Sequence, residues 1–169
     1  KTERYYEKNK ISVLTEKDAQ KIDKNKRRVF FKDGSSEGYK KLVIATGSKQ
    51  NIITATKNKK IIYLNSIPQA IDLKTKLEES KSIGIIGAGY IGLEVAATAK
   101  SKDLDTTVFE AEERIMKRSA SKVIAEFIQE YHENMGVKFN LRSAAKTIKP
   151  EQNSVKISFK NDSTKNSDF

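Results

Sequence analysis

A strand–turn–helix fingerprint near the middle of the chain places the strongest constraint on its fold. The apolar run at residues 83–86 is followed by the pattern G-x-G-x-x-G, with its glycines at Gly87, Gly89 and Gly92, and then by small residues typical of a helix. The first glycine permits a tight turn, the second lets the backbone approach a pyrophosphate, and the third lets the helix pack closely on the strand. The sequence therefore predicts a buried parallel strand that opens a dinucleotide-binding unit.

An acidic residue at the end of the next predicted strand extends this pattern. Glu110 closes the run at residues 106–110 and lies 18 residues after Gly92, close to the spacing of about 20 expected for a ribose ligand. A carboxylate accepts hydrogen bonds from a free 2′-hydroxyl and repels a 2′-phosphate, so Glu110 predicts a preference for NADH over NADPH. Arg114 and Arg118 follow, and the sequence leaves open whether they soften this preference, cap carbonyl groups or lie in solvent.

The positive charge of the chain is concentrated in its first third. The net charge is +11, but residues 1–60 carry 17 Lys/Arg against 7 Asp/Glu, whereas residues 61–169 carry 16 against 15. The most basic stretch, residues 24–28, has no stacking aromatics or recognisable nucleic-acid module around it. We therefore expect a solvated lysine-rich face, with an acidic protein partner as the next alternative, and no nucleic-acid site.

Composition also limits the other classes of function. No apolar run approaches the length of about 20 residues that crosses a bilayer, so no membrane span is predicted, and a cytoplasmic location is the default expectation. The chain has no cysteine, so it has neither a disulfide nor a thiolate metal site, and no metal site is predicted. The one histidine, His132, is expected on a polar helix face with a structural or solvent-facing role.

The order of strand and helix signals predicts an α/β fold: a Rossmann-like domain with a parallel sheet and an antiparallel β meander. The helix at residues 119–135 is expected to bury an apolar face that comprises Val123, Ile124, Phe127, Ile128 and Tyr131. The predicted helices lie at residues 3–9, with Tyr5 and Tyr6 packed inward, at 66–80, after Gly89, and at 119–135. The predicted strands lie at 11–14, 19–22, 28–32, 39–46 with a buried segment at 42–47, 61–64, 83–86, 106–110, 137–139, 145–148 and 155–159.

Two motifs in a fixed order give the chain a family resemblance. Ala-Thr-Gly-Ser at residues 45–48 precedes Gly-Ala-Gly-Tyr-Ile-Gly-Leu-Glu at residues 87–94, and both resemble segments of the pyridine-nucleotide flavoprotein reductases. The segments at 109–118 and 131–137 are similar to that family as well. The resemblance spans essentially the whole chain and is strongest to the NADH-dependent ferredoxin and rubredoxin reductases of oxygenase and cytochrome P450 systems.

This resemblance implies a two-part organisation within a larger flavoenzyme. Residues 1–50 would be a partial, C-terminal segment of an FAD-binding domain, and residues 51–169 would be an NAD(P)-binding Rossmann-like domain, cut short at its end. The family's first glycine fingerprint, its later flavin-binding Gly-Asp motif and its C-terminal domain would lie outside these 169 residues. By this implication the isolated chain is not catalytically complete.

The resemblance also implies roles for individual residues. Tyr90 would cover the nicotinamide pocket, or simply pack, and Glu94 would neighbour the nicotinamide and flavin as the one candidate catalytic residue, or serve only the helix dipole from the first turn. Lys49 stands where the family commonly has an arginine-rich stretch. The implied NAD-binding residues are Gly87, Ala88, Gly89, Tyr90, Ile91, Gly92, Glu94, Glu110 and Arg118, and the implied FAD-binding residues are Ala19, Thr46, Gly47 and Lys49.

The implied reaction is hydride transfer from C4 of NADH to N5 of FAD, followed by electron transfer to a small ferredoxin-like iron–sulfur protein. The cofactors carry this chemistry, so no residue of the chain needs to act as acid, base or nucleophile. Other acceptors in the superfamily remain open: rubredoxin, nitrite reductase centres, a disulfide or a quinone. A second class, a non-enzymatic module that senses NADH without turnover, is the alternative function.

Overall fold

A computed structural model describes residues 2–53, 58–160 and 163–168. The chain divides into two compact units, Lys1–Ser48 and Lys49–Phe169, and each is described by itself. Across these described ranges, no helix combines the length and apolar character needed to cross a bilayer.

The first unit contains one short helix and a small antiparallel sheet. Helix α1 spans Glu3–Lys8, and the sheet consists of β1 (Ala19–Asp23), β2 (Arg28–Phe31) and β3 (Ser36–Gly38) in the order β1-β2-β3. The predicted Asp-Gly turn joins β2 to β3: Gly34 has a φ of +84°, and the Asp33 carboxylate accepts the Ser35 N–H at 3.0 Å. Such a turn closes the hairpin immediately, so β2 pairs with residues 36–38.

Four predictions for this unit are wrong. The predicted partner of β2 at residues 39–46 is not a strand, and neither is the run at residues 11–14. The supposedly buried segment at residues 42–47 is exposed, with Val43 at 85% of its full accessibility. No strand among the described residues pairs with these runs, and an extended apolar run forms a strand only when a neighbour satisfies its backbone groups. Helix α1 likewise buries no residue, so Tyr5 and Tyr6 do not pack inward.

The second unit is built around a parallel sheet, which confirms the predicted α/β fold. Strands β4 (Ser82–Ile86), β5 (Asp105–Phe109) and β6 (Lys138–Asn140) pair in parallel in that order. Helix α2 (Ile67–Glu79) precedes β4, helix α3 (Tyr90–Lys100) connects β4 to β5, and helix α4 (Lys122–Asn134) connects β5 to β6. The predicted strand at residues 61–64 is not formed.

The core of this unit lies between the parallel sheet and its helices. Its buried residues include Leu77 of α2, Ile83 and Ile85 of β4, Leu93, Ala96 and Ala99 of α3, Val108 of β5, and Ala125 of α4. The alanines of α3 allow that helix to lie close to β4 and β5, which is why the small residues after the glycines carry the packing. This packing fixes the start of α3 near the carboxyl ends of β4 and β5.

A second sheet follows the parallel one. Strands β7 (Ala145–Pro150), β8 (Val155–Phe159) and β9 (Thr164–Ser167) are antiparallel in the order β7-β8-β9. The first two confirm the predicted antiparallel pair, whereas β9 was not predicted because its sequence is polar. Phe109 of β5 and Phe159 of β8 lie 4.9 Å apart between ring centroids, so the two sheets share a small apolar cluster.

Helix α4 presents a different face to the core from the one predicted. Val123, Ile124, Phe127 and Tyr131 are all more than half exposed, with Val123 at 73% and Phe127 at 67%. The buried residues are Ala125 and His132, on the opposite side of the helix. Ile128 is partly buried against the core, so this member of the predicted face is confirmed. The inward face is centred on the smaller Ala125, which lets the helix approach the sheet, and the prediction is wrong for the other four residues.

Candidate functional site

The glycine turn between β4 and α3 has the geometry that its three glycines require. Gly87 has a φ of +103°, in the left-handed region that favours glycine, and its N–H donates to the Phe109 carbonyl at 2.8 Å. A Cβ added at Gly92 would lie 2.0 Å from the Gly87 carbonyl oxygen, which no side chain tolerates. The turn therefore brings the start of α3 directly against the end of β4.

The middle glycine faces open space. Gly89 is the N-cap of α3, with a φ of −86° and a ψ of −173°, and a Cβ added there would meet no heavy atom within 4 Å. The first N–H groups of a helix have no partner within the helix, and together with the helix dipole they favour an anion. The space beside Gly89 is thus a place where a phosphate can reach backbone donors.

Glu110 lies immediately after β5 and its carboxylate reaches the glycine turn. Its Oε2 accepts the Ala88 N–H at 2.7 Å, and its Oε1 accepts the Glu112 N–H at 2.9 Å. The side chain is partly buried, so its charge is fixed beside the turn. Parallel strands β4 and β5 end at the same edge of the sheet, which is why residues 22 positions apart come together here.

The two arginines of the loop after Glu110 have different surroundings. Arg114 donates to the carbonyls of Ala120 at 3.1 Å and Lys117 at 3.0 Å, so it caps carbonyl groups within the loop. Arg118 lies in solvent, with its side chain 91% exposed and its guanidinium 3.9 Å from Glu112. Lys117 bonds both Glu112 and Glu113 at 2.8 Å. These bonds raise the pKa of the Lys117 ammonium.

Tyr90 and Glu94 both lie on the exposed side of α3. Tyr90 is the first residue of the helix, and its hydroxyl donates to the Ser119 carbonyl at 3.4 Å, a long contact that leaves most of the ring in solvent. Glu94 is the fifth residue of α3 and no acidic residue lies in the first turn, so its predicted place in that turn is wrong. The helix dipole acts within the first turn, so it gives little support to a carboxylate at this position.

A cavity of about 560 Å³ adjoins the glycine turn. Its walls are mostly apolar: Ile83–Gly87 of β4 and the turn, Gly89–Gly92 and Val95 of α3, Leu73 of α2, residues 60–64, Asn51, Ile53, and Ile148, Val155 and Ile157 of the second sheet. A cavity of this size is within the range that small ligands and cofactors occupy. It combines an apolar body with the backbone donors of α3 at one edge.

Part of this cavity wall was missed from the sequence. Residues 60–64 and the strands β7 and β8 contribute to it, although they carry no recognisable motif. Gln50 supports the wall, because its side-chain amide donates to the Tyr63 carbonyl at 2.7 Å. The Tyr63 hydroxyl in turn accepts the Ile53 N–H at 3.1 Å. These contacts are not periodic in sequence, so no local pattern could have revealed them.

The residues assigned to FAD are all exposed in the units that contain them. Ala19 opens β1 and is exposed, while Thr46 and Gly47 lie in an exposed segment without strand pairing. Gly47 has a φ of +78°, which suits a turn or a close approach of the backbone. Lys49, in the second unit, is exposed as well.

His132 was expected on a polar face, and this prediction is wrong. It lies buried on the inner side of α4, edge-on to Phe139 of β6 with ring centroids 6.3 Å apart. Within the described ranges its Nδ1 has no hydrogen-bond partner. Burial lowers the pKa of His132, so the neutral imidazole is favoured. Of the two roles predicted for His132, structural and solvent-facing, its burial agrees with the structural one.

Comparison with known families identifies the chain. Residues 3–169 match the family described as pyridine nucleotide-disulphide oxidoreductase. The chain belongs to this family. It is 34% identical to rhodocoxin reductase from Rhodococcus erythropolis over 146 residues, which are 85% of the chain and 34% of that protein. It is 35% identical to a rubredoxin–NAD(+) reductase from Pseudomonas putida over 151 residues, which are 88% of the chain and 39% of that protein.

Solved structures of this oxidoreductase family share the fold. The ferredoxin reductase of the CYP199A2 system from Rhodopseudomonas palustris matches all of the chain and 42% of its own length, with a TM-score of 0.81 and 26% identity. The chain thus spans well under half of the relatives that it matches. The description of the family names a pyridine nucleotide, and the relative from Pseudomonas putida is named as a reductase that uses NAD(+).

Proposed function

We propose that this chain carries the NADH site of an NADH-dependent flavoprotein reductase. The observation that carries the proposal is the juxtaposition of open space at Gly89 with the Glu110 carboxylate, which is bonded to the neighbouring Ala88 N–H at 2.7 Å. A pyrophosphate beside Gly89 meets the N–H groups that open α3, and a ribose next to it meets a carboxylate. The pyrophosphate and the ribose of one dinucleotide would thus bind at adjacent positions.

The same arrangement supports a preference for NADH over NADPH. A 2′-phosphate next to Glu110 would bring its charge close to a fixed carboxylate, and Glu112 and Glu113 follow in the same loop. The cations of that loop are already engaged: Lys117 bonds two carboxylates, and Arg114 bonds carbonyl groups. Arg118 is the exposed exception. It is the residue that would have to turn towards the ribose if NADPH were accepted.

The cavity beside the turn supports placement of the nicotinamide. Its apolar walls, among them Ile85, Ile91 and Val95, exclude water from a flat ring, and Tyr90 lies at the same edge. When bound, NADH supplies a hydride and FAD accepts it; the contribution of this chain is to bind, orient and shield the dinucleotide. Glu94 stays a proposed neighbour of the nicotinamide, on the exposed side of α3.

The electron acceptor proposed for the full-length protein is a small ferredoxin-like iron–sulfur protein. The support comes from the names of relatives: one is the ferredoxin–NAD(+) reductase component of a p-cumate dioxygenase system from Pseudomonas putida. A rubredoxin is the second candidate, because two relatives are rubredoxin–NAD(+) reductases. The alternative of a non-enzymatic NADH-sensing module shares the same binding site and differs only in turnover.

A calorimetric titration of the 169-residue chain with NADH, NADPH and FAD in separate cells tests the proposal. We expect NADH to bind, NADPH to bind at least about tenfold more weakly, and FAD to bind negligibly. Equal binding of the two nicotinamides would remove the assignment of Glu110 as the discriminating residue. If the folded chain binds neither, the proposed NADH site is wrong.

A further inference from the structure

We propose that Glu110 is a positioning residue for the phosphate-binding turn, so that recognition of phosphate and of ribose depends on the same side chain. The proposal rests on the NADH site proposed above and adds a second task for Glu110. In this role the carboxylate holds the Gly87–Ala88 peptide in the orientation that presents the start of α3 to an anion.

Ala88 is held through both of its peptide groups. Its N–H, in the Gly87–Ala88 peptide, donates to Glu110 Oε2 at 2.7 Å, and its carbonyl, in the Ala88–Gly89 peptide, accepts the Met116 N–H at 2.9 Å. Ala88 is completely buried, so water cannot replace either bond. The other carboxylate oxygen accepts the Glu112 N–H at 2.9 Å, which fixes the side chain itself. One carboxylate therefore joins the glycine turn to the loop after β5.

This bond decides which backbone groups remain available for a ligand. The Ala88 N–H is committed to Glu110, so the donors left for a phosphate begin at Gly89 and continue into the first turn of α3. Gly89 follows Ala88 directly, so a rotation of the Gly87–Ala88 peptide would displace Ala88 and redirect those donors. Glu110 thus acts on the phosphate through the turn, without touching it.

The carboxylate has capacity for both tasks. Two ionised oxygens offer about four acceptor positions, of which the Ala88 and Glu112 N–H groups use two. Two remain for ribose hydroxyls. A glutamine at this position has one carbonyl oxygen, and its amide N–H₂ would face the other backbone N–H donor-to-donor. Glu110→Gln therefore keeps the shape of the side chain but cannot hold both backbone groups.

Amide hydrogen exchange, measured by NMR without any ligand, tests the positioning role. In Glu110→Gln we expect the Ala88 amide to exchange at least about tenfold faster than in the wild type, because a charge-assisted bond to a buried donor is lost or weakened. Glu113→Gln is the matched control, since it removes the same charge three residues away, from a carboxylate that pairs with Lys117 at 2.8 Å. Unchanged Ala88 exchange in Glu110→Gln would overturn the proposal.

A pair of ligand probes separates positioning from ribose binding. ADP carries both ribose hydroxyls, whereas 2′,3′-dideoxy-ADP lacks them but keeps the diphosphate. If Glu110 positions the turn, Glu110→Gln weakens both probes relative to Glu113→Gln, and the loss for the dideoxy probe is at least about threefold. Equal affinity of the dideoxy probe for Glu110→Gln and the wild type would reduce Glu110 to a ribose acceptor and overturn the proposal.

A measurement on the wild type keeps the test independent of whether a variant folds. Over an acid titration, the chemical shifts of the Ala88 and Glu112 amide protons should change over the same pH range as that of the Glu110 carboxyl carbon. Both N–H groups donate to this carboxylate, so they should respond when it takes up a proton. An Ala88 shift that does not move with this carboxyl would overturn the proposal. Failure of wild type to bind ADP and NADH would instead overturn the proposed function, while the exchange and titration results would still decide the positioning role.

Discussion

A Cβ placed on Gly92 would lie 2.0 Å from the carbonyl oxygen of Gly87, so the first turn of α3 and the end of β4 touch backbone to backbone. This contact belongs to the fold rather than to the ligand, because it is present whether or not a dinucleotide binds. It separates the third glycine of the fingerprint from the second, which faces open space. The two glycines should therefore respond differently to substitution.

Gly92→Ala should destabilise the chain. The added methyl group meets a backbone carbonyl that cannot turn aside, because the Ala88 N–H in the same peptide is bonded to Glu110 at 2.7 Å. We expect a loss of about 3 kcal/mol, the upper end of the cost of overpacking. Urea unfolding followed by circular dichroism measures it. Thr98→Ala, on the exposed side of the same helix, is the control, and an equal effect of the two substitutions would contradict the steric argument.

Gly89→Val should leave the fold intact and abolish binding of NADH. The side chain enters space in which a Cβ meets no atom, and the backbone angles of Gly89 are allowed for any residue. The valine would occupy the position of the pyrophosphate, so we expect affinity to fall at least about a hundredfold. Gly38→Val, in the first unit, is the matched control, since a Cβ on Gly38 would meet no atom closer than 4.0 Å. Calorimetry with NADH tests this, and unchanged affinity of a folded Gly89→Val would refute the fingerprint assignment.

Asp168→Ala should destabilise the second unit. The Asp168 carboxylate accepts the N–H groups of Lys81 at 2.9 Å and Ser82 at 2.8 Å, and its own N–H donates to the Ser82 hydroxyl. These bonds tie the end of β9 to the start of β4. We expect a loss of about 2 kcal/mol, typical of hydrogen bonds to a charged group. Asp72→Ala, an exposed acid on α2, provides the control, and thermal unfolding that shifts equally for both would show that the tie contributes nothing.

The parts of the site that could be predicted from sequence are the parts in which one residue has a local backbone task. Gly87 and Gly92 are required by a turn and a close approach, and Glu110 by the end of a strand, so a short motif records them. The cavity wall is different. Tyr63 and Ile157 reach it from segments far apart in sequence, and only the assembled tertiary structure brings them together.

The errors in the fold have a common physical cause. Periodicity shows which residues share a face, but not whether another element covers that face. In α4 the stripe containing Phe127 had the expected helical spacing, yet the helix buries Ala125 on its other side. The run at residues 42–47 had the composition of a buried strand, but no described strand pairs with it. Both cases require knowledge of a partner that local sequence does not contain.

Phe127 should accordingly tolerate a polar residue. Because its side chain is 67% exposed, we expect Phe127→Ser to change the free energy of unfolding by no more than about 0.5 kcal/mol. Ala125→Leu, two residues earlier on the buried side, should cost about 1–3 kcal/mol through overpacking. Denaturant unfolding compares the two. A loss of about 3 kcal/mol or more in Phe127→Ser would place this residue in the core and reverse the assignment of the inward face of α4.

His132 should make the stability of the chain depend on pH. Burial lowers the pKa of its imidazole below the ordinary value of 6.5, so the unfolded chain binds a proton more readily than the folded one. Stability therefore rises with pH through this range and falls as the pH drops below about 6.5. Unfolding free energies at pH 7.5 and pH 5 measure the effect, above the range in which ordinary carboxylates titrate. His132→Leu should show a smaller loss over the same interval, and an equal loss in variant and wild type would assign the pH dependence to other groups.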